Sequence, residues 1–145
     1  MTATAFDTII DAFATKLAEA TAVCSHIYKD DVEPLPEDNA TAIVIQLMSA
    51  EAQVLGELAG NPVDWVTQIA VRCMASANAT SARPGANALA GAAYARIATD
   101  PSLGITGVWI GEPAIAWESD TAATRLAICT LTYNVQHRTV GLTLA

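Results

Sequence analysis

Positive charge is scarce in this 145-residue chain, where seven lysines and arginines stand against fifteen aspartates and glutamates for a formal net charge of −8. A surface that neutralises phosphates or anionic lipid needs the opposite balance, so we expect no specific nucleic-acid partner and no membrane partner. The chain also has no run of about 18 apolar residues that would suggest a membrane span. The start, MTATAFDTIIDAF, lacks a basic segment and carries Asp7 and Asp11 among its apolar residues, which is unlike a secretion signal. The sequence therefore predicts a soluble, intracellular protein.

Cysteine and histidine, which build most metal and redox sites, are few. Cys24, Cys73 and Cys129 lie far apart without Cys-x-x-Cys spacing, which favours reduced, buried thiols over a catalytic cysteine. His26 and His137 have no nearby carboxylate motif, which favours surface histidines at the ends of elements over a metal or acid–base role. We expect neither a metal nor a cofactor.

Motifs of common enzymes are missing as well. The sequence contains no GxxxxGK[ST], HExxH, GxSxG or GxGxxG segment. The acidic stretch KDDVEPLPEDNAT lacks the glycine and the closing glutamate of an EF-hand loop and predicts a solvated connection. Together these absences favour a protein without catalytic activity.

The strongest pattern present is the alternation in RLAICTLTYNVQHRT, residues 125 to 139, where mostly apolar odd positions alternate with polar even ones. This is the periodicity of a strand with one buried face. Because Leu126 and Ile128 are also apolar, we expect the start of the strand to be covered on both faces and its end on one.

Two more strands and two helices follow from similar patterns. AIVIQLMSA is apolar on both faces and WVTQIAVRCMA alternates, so these strands are predicted to pair antiparallel. Apolar residues at three- and four-residue steps predict a helix over roughly residues 3 to 22, and the alanine-rich PGANALAGAAYARIA predicts another over 84 to 98. The predicted core comprises Ile43, Ile45, Leu47, Ile69, Val71, Leu131, Tyr133 and Val135.

ITGVWIGEPAIAWES resembles a broken strand, interrupted at Gly111 and Pro113, and suits the edge of a sheet. The resulting order of helix, strand, strand, helix, strand, strand lacks the βαβ alternation of a parallel sheet. We predict a single α+β domain over residues 1–145, a two-layer sandwich with one mostly antiparallel four-stranded sheet and two helices on one face.

Some apolar residues have no evident place in that core. Val54, Leu55 and Leu58 lie in the segment EAQVLGELAGNPVD, predicted to be a protruding loop or an extended hairpin. Apolar residues exposed on a loop usually contact a partner, so these three are candidates for an assembly interface, with Trp109 and Pro113 of the broken strand as the complementary surface.

The three tryptophans fit two interpretations. Trp65, Trp109 and Trp117 suit either an aromatic binding surface or half-buried strand packing. The pattern of residues leaves both open. A chain with a well-specified sheet, surplus apolar residues and no catalytic motif favours a part that assembles.

In their order, AIVIQLMSAEAQ, DWVTQIAVRC, an alanine-rich helix and AWESDTAATRLAICTLTYNV resemble the tail terminator (minor tail protein U-like) family of long-tailed bacteriophages. The resemblance runs from about residue 5 to residue 137 and is closest across 43–73 and 126–135. It rests on the tryptophan that opens the second strand, the SAE after the first, and the strand that ends in LTY. The chain departs from the family in its high alanine and low aromatic content.

The resemblance implies an α/β subunit that joins others in a ring of six on the finished tail tube, stops polymerisation of the tube and presents the surface to which the filled head attaches. The implied partners are other copies of the chain, the major tail tube protein and a head–tail connector protein, in a virion assembled in the host cytoplasm. The role needs no catalysis and no cofactor. Acidity fits it, because DNA passing through a negative lumen would not adhere. Two alternatives stay open: another head–tail connector or tail-completion protein, and a non-viral small-molecule-binding module with a pocket between helices and sheet.

Overall fold

A computed structural model describes residues 4–19, 21–24, 26–29, 41–53, 62–77, 82–120, 125–140 and 144. These residues form two helices and a mostly antiparallel sheet of six strands, which confirms the α+β class. The elements in chain order are α1 (Ala5–Ala18), β1 (Ile27–Lys29), β2 (Thr41–Ala52), β3 (Val63–Ala77), α2 (Arg83–Ala98), β4 (Trp109–Ile110), β5 (Ala114–Asp120) and β6 (Arg125–Thr139).

The predicted number of four strands is wrong, and both extra strands are short. β1 has three residues and pairs in parallel with residues 43–45 of β2, so its extended form depends on that partner and not on a local pattern. The broken strand divides, as its breakers indicate, into β4 and β5 on either side of residues 111–113, and both pair with β6. The order across the sheet is β1-β2-β3-β6-β4, with β5 also beside β6.

The centre of the sheet is the long antiparallel pair β3–β6, which stays in register from Val63↔Thr139 to Ala77↔Arg125. β2 pairs antiparallel with β3, as predicted. Their register shifts between Leu47 and Ser49, which makes Met48 the extra residue of a β-bulge. The bulge leaves Met48 59% exposed and places Ser49 beside Gln68, whose Oε1 accepts a 3.3 Å hydrogen bond from the serine hydroxyl.

Both helices cover one face of the sheet, as predicted, and the main core lies between these layers. Seven of the eight predicted core residues are buried, and Leu47 is partly buried. A smaller apolar cluster on the other face joins Ala42, Val44, Met74 and Ile128. Since Ala127 and Ile128 are both buried while Asn134 is exposed, β6 is covered on two faces at its start and on one at its end.

Local contacts fix the ends of α1 at Ala5 and Ala18, inside the predicted range. At the start, the Thr4 hydroxyl accepts from the backbone N–H of Asp7, and the Asp7 carboxylate accepts from the backbone N–H of Thr4, a capping box. These hydrogen bonds hold the pKa of Asp7 below its ordinary value, chiefly through the Thr4 N–H. At the other end, Arg96 of α2 donates to the carbonyls of Lys16, Glu19 and Thr21.

Over the described ranges, no helix is long and apolar enough to cross a membrane.

Candidate assembly surface

The β5 strand forms one edge of the sheet. It pairs with β6 from Ala114↔Thr132 to Asp120↔Leu126. No described strand pairs with its other side, so no ladder among the described residues uses the backbone N–H and C=O groups of that edge. An open edge of this kind is a template for pairing with another chain.

Two large apolar side chains of β5 are exposed on the face that carries the helices. Ile115 lies opposite Leu131 and is 48% exposed, and Trp117 lies opposite Cys129 and is 59% exposed. Between β5 and α2 is an open, almost wholly apolar groove of about 330 Å³. It is lined mainly by Asn87, Ala90, Gly91, Tyr94, Ile115 and Trp117. The Trp117 indole is fixed at the rim by a 2.8 Å hydrogen bond to Asn87 Oδ1. We call this groove together with the β5 edge the edge surface.

The structure describes two of the five residues that the sequence predicts for an interface. Trp109 is 59% exposed in β4, opposite Gln136 and thus on the face without helices, and Pro113 is half-buried immediately before β5. Both lie along the edge of the sheet that β4 and β5 form beside β6, with Trp109 near the end of β6 and close to Asp64 and Trp65. Val54, Leu55 and Leu58 lie outside the described residues.

The β2–β3 pair extends as a hairpin arm formed by residues 48–53 and 62–66. Ala52 pairs with Trp65, and the Gln53 N–H donates to the Asp64 carbonyl at 2.8 Å, so the antiparallel pairing continues to residue 53. Residues 54–61 of the predicted loop or extended hairpin lie outside the described residues. The arm lies beside the end of β6, whereas β5 lies beside its start. Nine residues separate Cys129 from Arg138, which corresponds to about 30 Å along the strand. The arm and the edge surface therefore occupy opposite corners of the sheet.

The tryptophans divide between the two interpretations. Trp65 is half-buried, packs edge-on against Phe6 at 5.6 Å and donates from Nε1 to the Thr139 hydroxyl at 2.9 Å, so it serves packing. Trp109 and Trp117 are exposed and suit a binding surface. Trp65 and Trp109 line one open cleft, and Trp117 lies apart from it in the groove.

The expectation of a surface histidine is wrong for His137, which is only 5% exposed. Its Nε2 lies 2.7 Å from the Thr67 hydroxyl and its ring packs edge-on against Phe6, while Nδ1 has no hydrogen-bond partner among the described residues. Burial lowers the pKa of this imidazole. His137 continues the odd-numbered buried positions of β6, so the alternation in the sequence could have predicted its burial.

This Thr67–His137 pair does not form a catalytic site. A nucleophile must reach its substrate, and Thr67 is 1% exposed. Among the described residues, no carboxylate accepts from Nδ1 to orient the ring as in a Ser-His-Asp triad. The pair instead satisfies two buried polar groups between α1 and the sheet.

The cysteines are all buried, as predicted. Burial raises the pKa of the Cys73 thiol to about 12, so it stays protonated and is a poor nucleophile at neutral pH. Among the described residues, no group of three histidine, cysteine or acidic side chains is placed to hold a metal ion.

No protein-family model matches the chain, and no similar sequence is found among curated proteins. The resemblance to tail terminators therefore stays a prediction.

Proposed function

We propose that this protein is a structural virion component that forms a ring on the end of a phage tail tube, ends polymerisation of the tube and provides the surface for head–tail joining. The observation that carries the proposal is the edge surface, where an open strand edge adjoins a groove flanked by exposed Ile115 and Trp117. An edge left open and apolar exposes a protein to uncontrolled pairing. A defined assembly that covers this edge removes the hazard.

The positions of the arm and the edge surface support a ring. In a head-to-tail ring each subunit uses two different surfaces, one toward each neighbour. The arm and the edge surface lie at opposite corners of the sheet, so a chain cannot bring its own arm onto its own β5 without unfolding the sheet. We infer that the arm of one subunit, which leads to Val54, Leu55 and Leu58, contacts the edge surface of the next. The resemblance sets the expected number of copies at six.

The proposed partners are further copies of the chain, the major tail tube protein and a head–tail connector protein. The role requires no catalysis, and the one close pairing of a hydroxyl and an imidazole described above is buried. With a net charge of −8, the ring would let DNA pass without specific binding. The proposed location is the virion, after assembly in the host cytoplasm.

The test uses a matched pair of substitutions on α2. Gly91 lines the groove, and nothing lies within 4 Å of a Cβ built on it, so Gly91→Lys should fold and obstruct the groove. Ala92 is exposed on another side of the same helix, which makes Ala92→Lys the control. Native mass spectrometry and electron microscopy would follow ring formation and the length of tubes grown from the phage's tail tube protein.

We expect the unmodified chain and Ala92→Lys to form rings and stop tube growth, and Gly91→Lys to leave tubes that grow past their normal length. Normal capping by a folded Gly91→Lys variant would show that the groove is not the interface. An unmodified chain that joins the virion without ending tube growth would support another head–tail connector or tail-completion protein instead. A chain that stays monomeric with tubes present would overturn the assembly function.

A further inference from the structure

An open cleft of about 520 Å³ lies beside the last residues of β6, where β3, β4 and the arm meet. The lining residues with exposed or half-exposed polar or aromatic side chains are Gln53, Asp64, Trp109, Gln136 and Arg138. The volume falls in the range of small-molecule sites, about 300–1,000 Å³. We call it the tryptophan cleft.

The register of the sheet places most of these side chains on the face without helices. His137 packs on the helical layer, so Gln136 and Arg138 on either side of it face the opposite way. Asp64 is the cross-strand partner of Arg138, and Trp109 is the partner of Gln136. Partners of this kind have Cβ atoms about 4.5–5.5 Å apart. Trp109, Gln136, Arg138 and Asp64 therefore form one continuous surface.

Trp109 is surrounded by polar side chains on this face. It is 59% exposed. The neighbouring positions across the sheet are mostly polar and comprise Ser49, Glu51, Asp64, Gln68, Asn134, Gln136 and Arg138. A tryptophan at the centre of a protein contact has different surroundings, because charged residues are depleted there and the residues around it exclude water. This face suits a ligand that has an apolar surface and many hydrogen-bonding groups.

The polar groups of the cleft favour a neutral ligand. Arg138 donates to both carboxylate oxygens of Asp64, from Nε at 2.7 Å and from a terminal nitrogen at 3.0 Å. These hydrogen bonds hold the pKa of Asp64 below its ordinary value, so both partners stay ionised and their charges cancel. The exposed amides of Gln53 and Gln136 each supply donors and an acceptor without any charge.

We propose that the tryptophan cleft binds a pyranose sugar of the glucose type, with one face of the sugar ring on the Trp109 indole and its hydroxyls bonded to Gln136 and the Asp64–Arg138 pair. The C–H groups of such a ring form a flat apolar face. Its equatorial hydroxyls radiate from the ring edge, toward the side chains that stand beside Trp109. Planar polar groups such as a carboxylate, an amide or a guanidinium can bond two neighbouring hydroxyls at once.

The source of the sugar is either a free glycoside or one unit of a polysaccharide. The proposal does not depend on the ring function. The tryptophan cleft and the groove of the edge surface are separate, since Trp109 lies on the face without helices and Trp117 on the other.

Other ligand classes fit the cleft less well. A phosphate or a carboxylate needs a free cation, but Arg138 is engaged with Asp64. An ammonium group needs a free carboxylate, and the same pair removes it. A purely apolar ligand can stack on Trp109, but it displaces water from the amides without replacing the hydrogen bonds of that water.

The test is an NMR titration of isotope-labelled protein with methyl β-glucopyranoside and with glucitol, an open-chain polyol without a rigid apolar face. We expect the glycoside to shift the Trp109 indole and the Gln136 and Arg138 amide signals, and to bind about tenfold more tightly than glucitol. The Trp117 indole is an internal control, because it is equally exposed, at 59%, on the other face. Added salt should leave the affinity for the neutral glycoside unchanged.

Two matched pairs of variants separate binding from folding. Trp109→Ala should reduce the affinity for the glycoside by about tenfold, and Trp117→Ala should leave it unchanged. Trp109→Phe should retain part of the affinity, because a smaller ring still offers a face for stacking. Gln136→Ala should weaken binding severalfold, whereas Asn134→Ala should not, since Asn134 is an exposed amide of the same strand and face outside the cleft.

Equal affinity for the glycoside and glucitol, or binding that survives Trp109→Ala unchanged, would overturn the proposal. So would a glycoside that shifts the Trp117 indole as much as the Trp109 indole. If neither ligand shifts Trp109 and Trp109→Ala instead prevents ring formation, the tryptophan is a protein contact and the sugar assignment is wrong.

The two sources are separated with the same spectra. Cellotetraose presents the same β-glucoside unit within a chain. If it binds more tightly than the methyl glycoside by more than the statistical factor for its repeated units, the cleft accepts a polysaccharide. If the affinity per unit is equal, the cleft holds a single sugar, and the pyranose assignment stands in either case.

Discussion

The centre of the sheet and its β5 edge carry similar side chains but differ in what covers them. Leu131 of β6 and Ile115 of β5 are cross-strand partners on the helix face, yet Leu131 is 1% exposed and Ile115 is 48% exposed. The next pair repeats the contrast, with Cys129 at 2% and Trp117 at 59%. α2 closes over β6 and leaves a groove beside β5. The comparison indicates that the apolar residues of β5 contribute little to the fold and are available for a contact outside the chain.

The edge also carries features that limit unwanted pairing. Pro113 stands immediately before β5 and has no N–H to extend the ladder. Within the strand, Glu118 is exposed and lies only 3.9 Å from Arg72, a weak surface ion pair. Charge and proline are the usual protection of a sheet edge, so under the proposed ring function they would limit pairing along β5 to a selected partner.

The cross-strand pair Leu131 and Ile115 tests the comparison most strongly. Leu131→Ala empties a buried site and should lower the free energy of unfolding by about 2–5 kcal/mol. Ile115→Ala removes a half-exposed side chain and should cost less than about 1 kcal/mol. Urea titrations of both variants measure the difference. Equal losses would show that β5 is part of the core in solution.

Arg96 tests how the helical layer is held over the centre. Its guanidinium joins α2 to one carbonyl in the last turn of α1 and to two carbonyls just after that helix, so Arg96→Met should cost about 2 kcal/mol and increase amide exchange in the last turn of α1. Arg138→Met is the contrasting variant, because Arg138 forms an exposed pair with Asp64 and its loss should matter little. Similar losses for both would mean that the contact between the helices is weaker than its geometry indicates.

The long elements could be predicted from the sequence because each carries its own pattern. The alternation of β6 fixed which residues face the helices, and its apolar start indicated the cover on both faces. The breakers at Gly111 and Pro113 placed the division of the edge strand correctly. These signals are local, so one sequence is enough to see them.

The remaining features depend on partners that are distant in sequence. β1 is too short to show a period and is a strand through its pairing with β2. The bulge at Met48 is visible only once the register with β3 is known. The sequence pattern did not predict the exposure of Ile115, because that exposure depends on how far α2 extends over the sheet. No local sequence pattern predicts the hydrogen bonds of Arg96 either, because its partners lie more than 70 residues away.

His137 extends the comparison to the far end of β6, where a polar residue is buried. Burial lowers its folded-state pKa below the ordinary 6.5, so the folded protein binds the proton less well than the unfolded chain. Its contribution to stability is therefore complete above pH 6.5 and is lost as the pH falls through the folded-state pKa. We expect the free energy of unfolding to fall by up to about 1.4 kcal/mol per pH unit in that window.

His137→Gln should flatten this dependence, as measured by urea titrations between neutral and mildly acidic pH. The lowered pKa values of Asp7 and Asp64 do not interfere, because their contributions are lost only below about 3.8. An unchanged pH profile in the variant would mean that His137 is hydrated in solution and that the far end of β6 resembles the edge more than the centre.

The smallest effect compares two glycines of α2, one over the centre and one over the edge. A Cβ on Gly85 would lie 3.3 Å from the Cβ of Ala75 in β3, whereas a Cβ on Gly91 would meet nothing within 4 Å. Replacing an exposed helix glycine by alanine stabilises a protein by about 0.5–1 kcal/mol, because the unfolded chain loses conformational freedom and the helix gains propensity. We expect that gain for Gly91→Ala and a smaller gain or a loss for Gly85→Ala, where contact with Ala75 opposes it. Thermal unfolding resolves the two, and a larger gain at Gly85 would mean that α2 lies farther from the centre of the sheet than described.

Because Gly91 also lines the groove, a more stable Gly91→Ala subunit that assembles less well would separate the requirements of the fold from those of the edge surface.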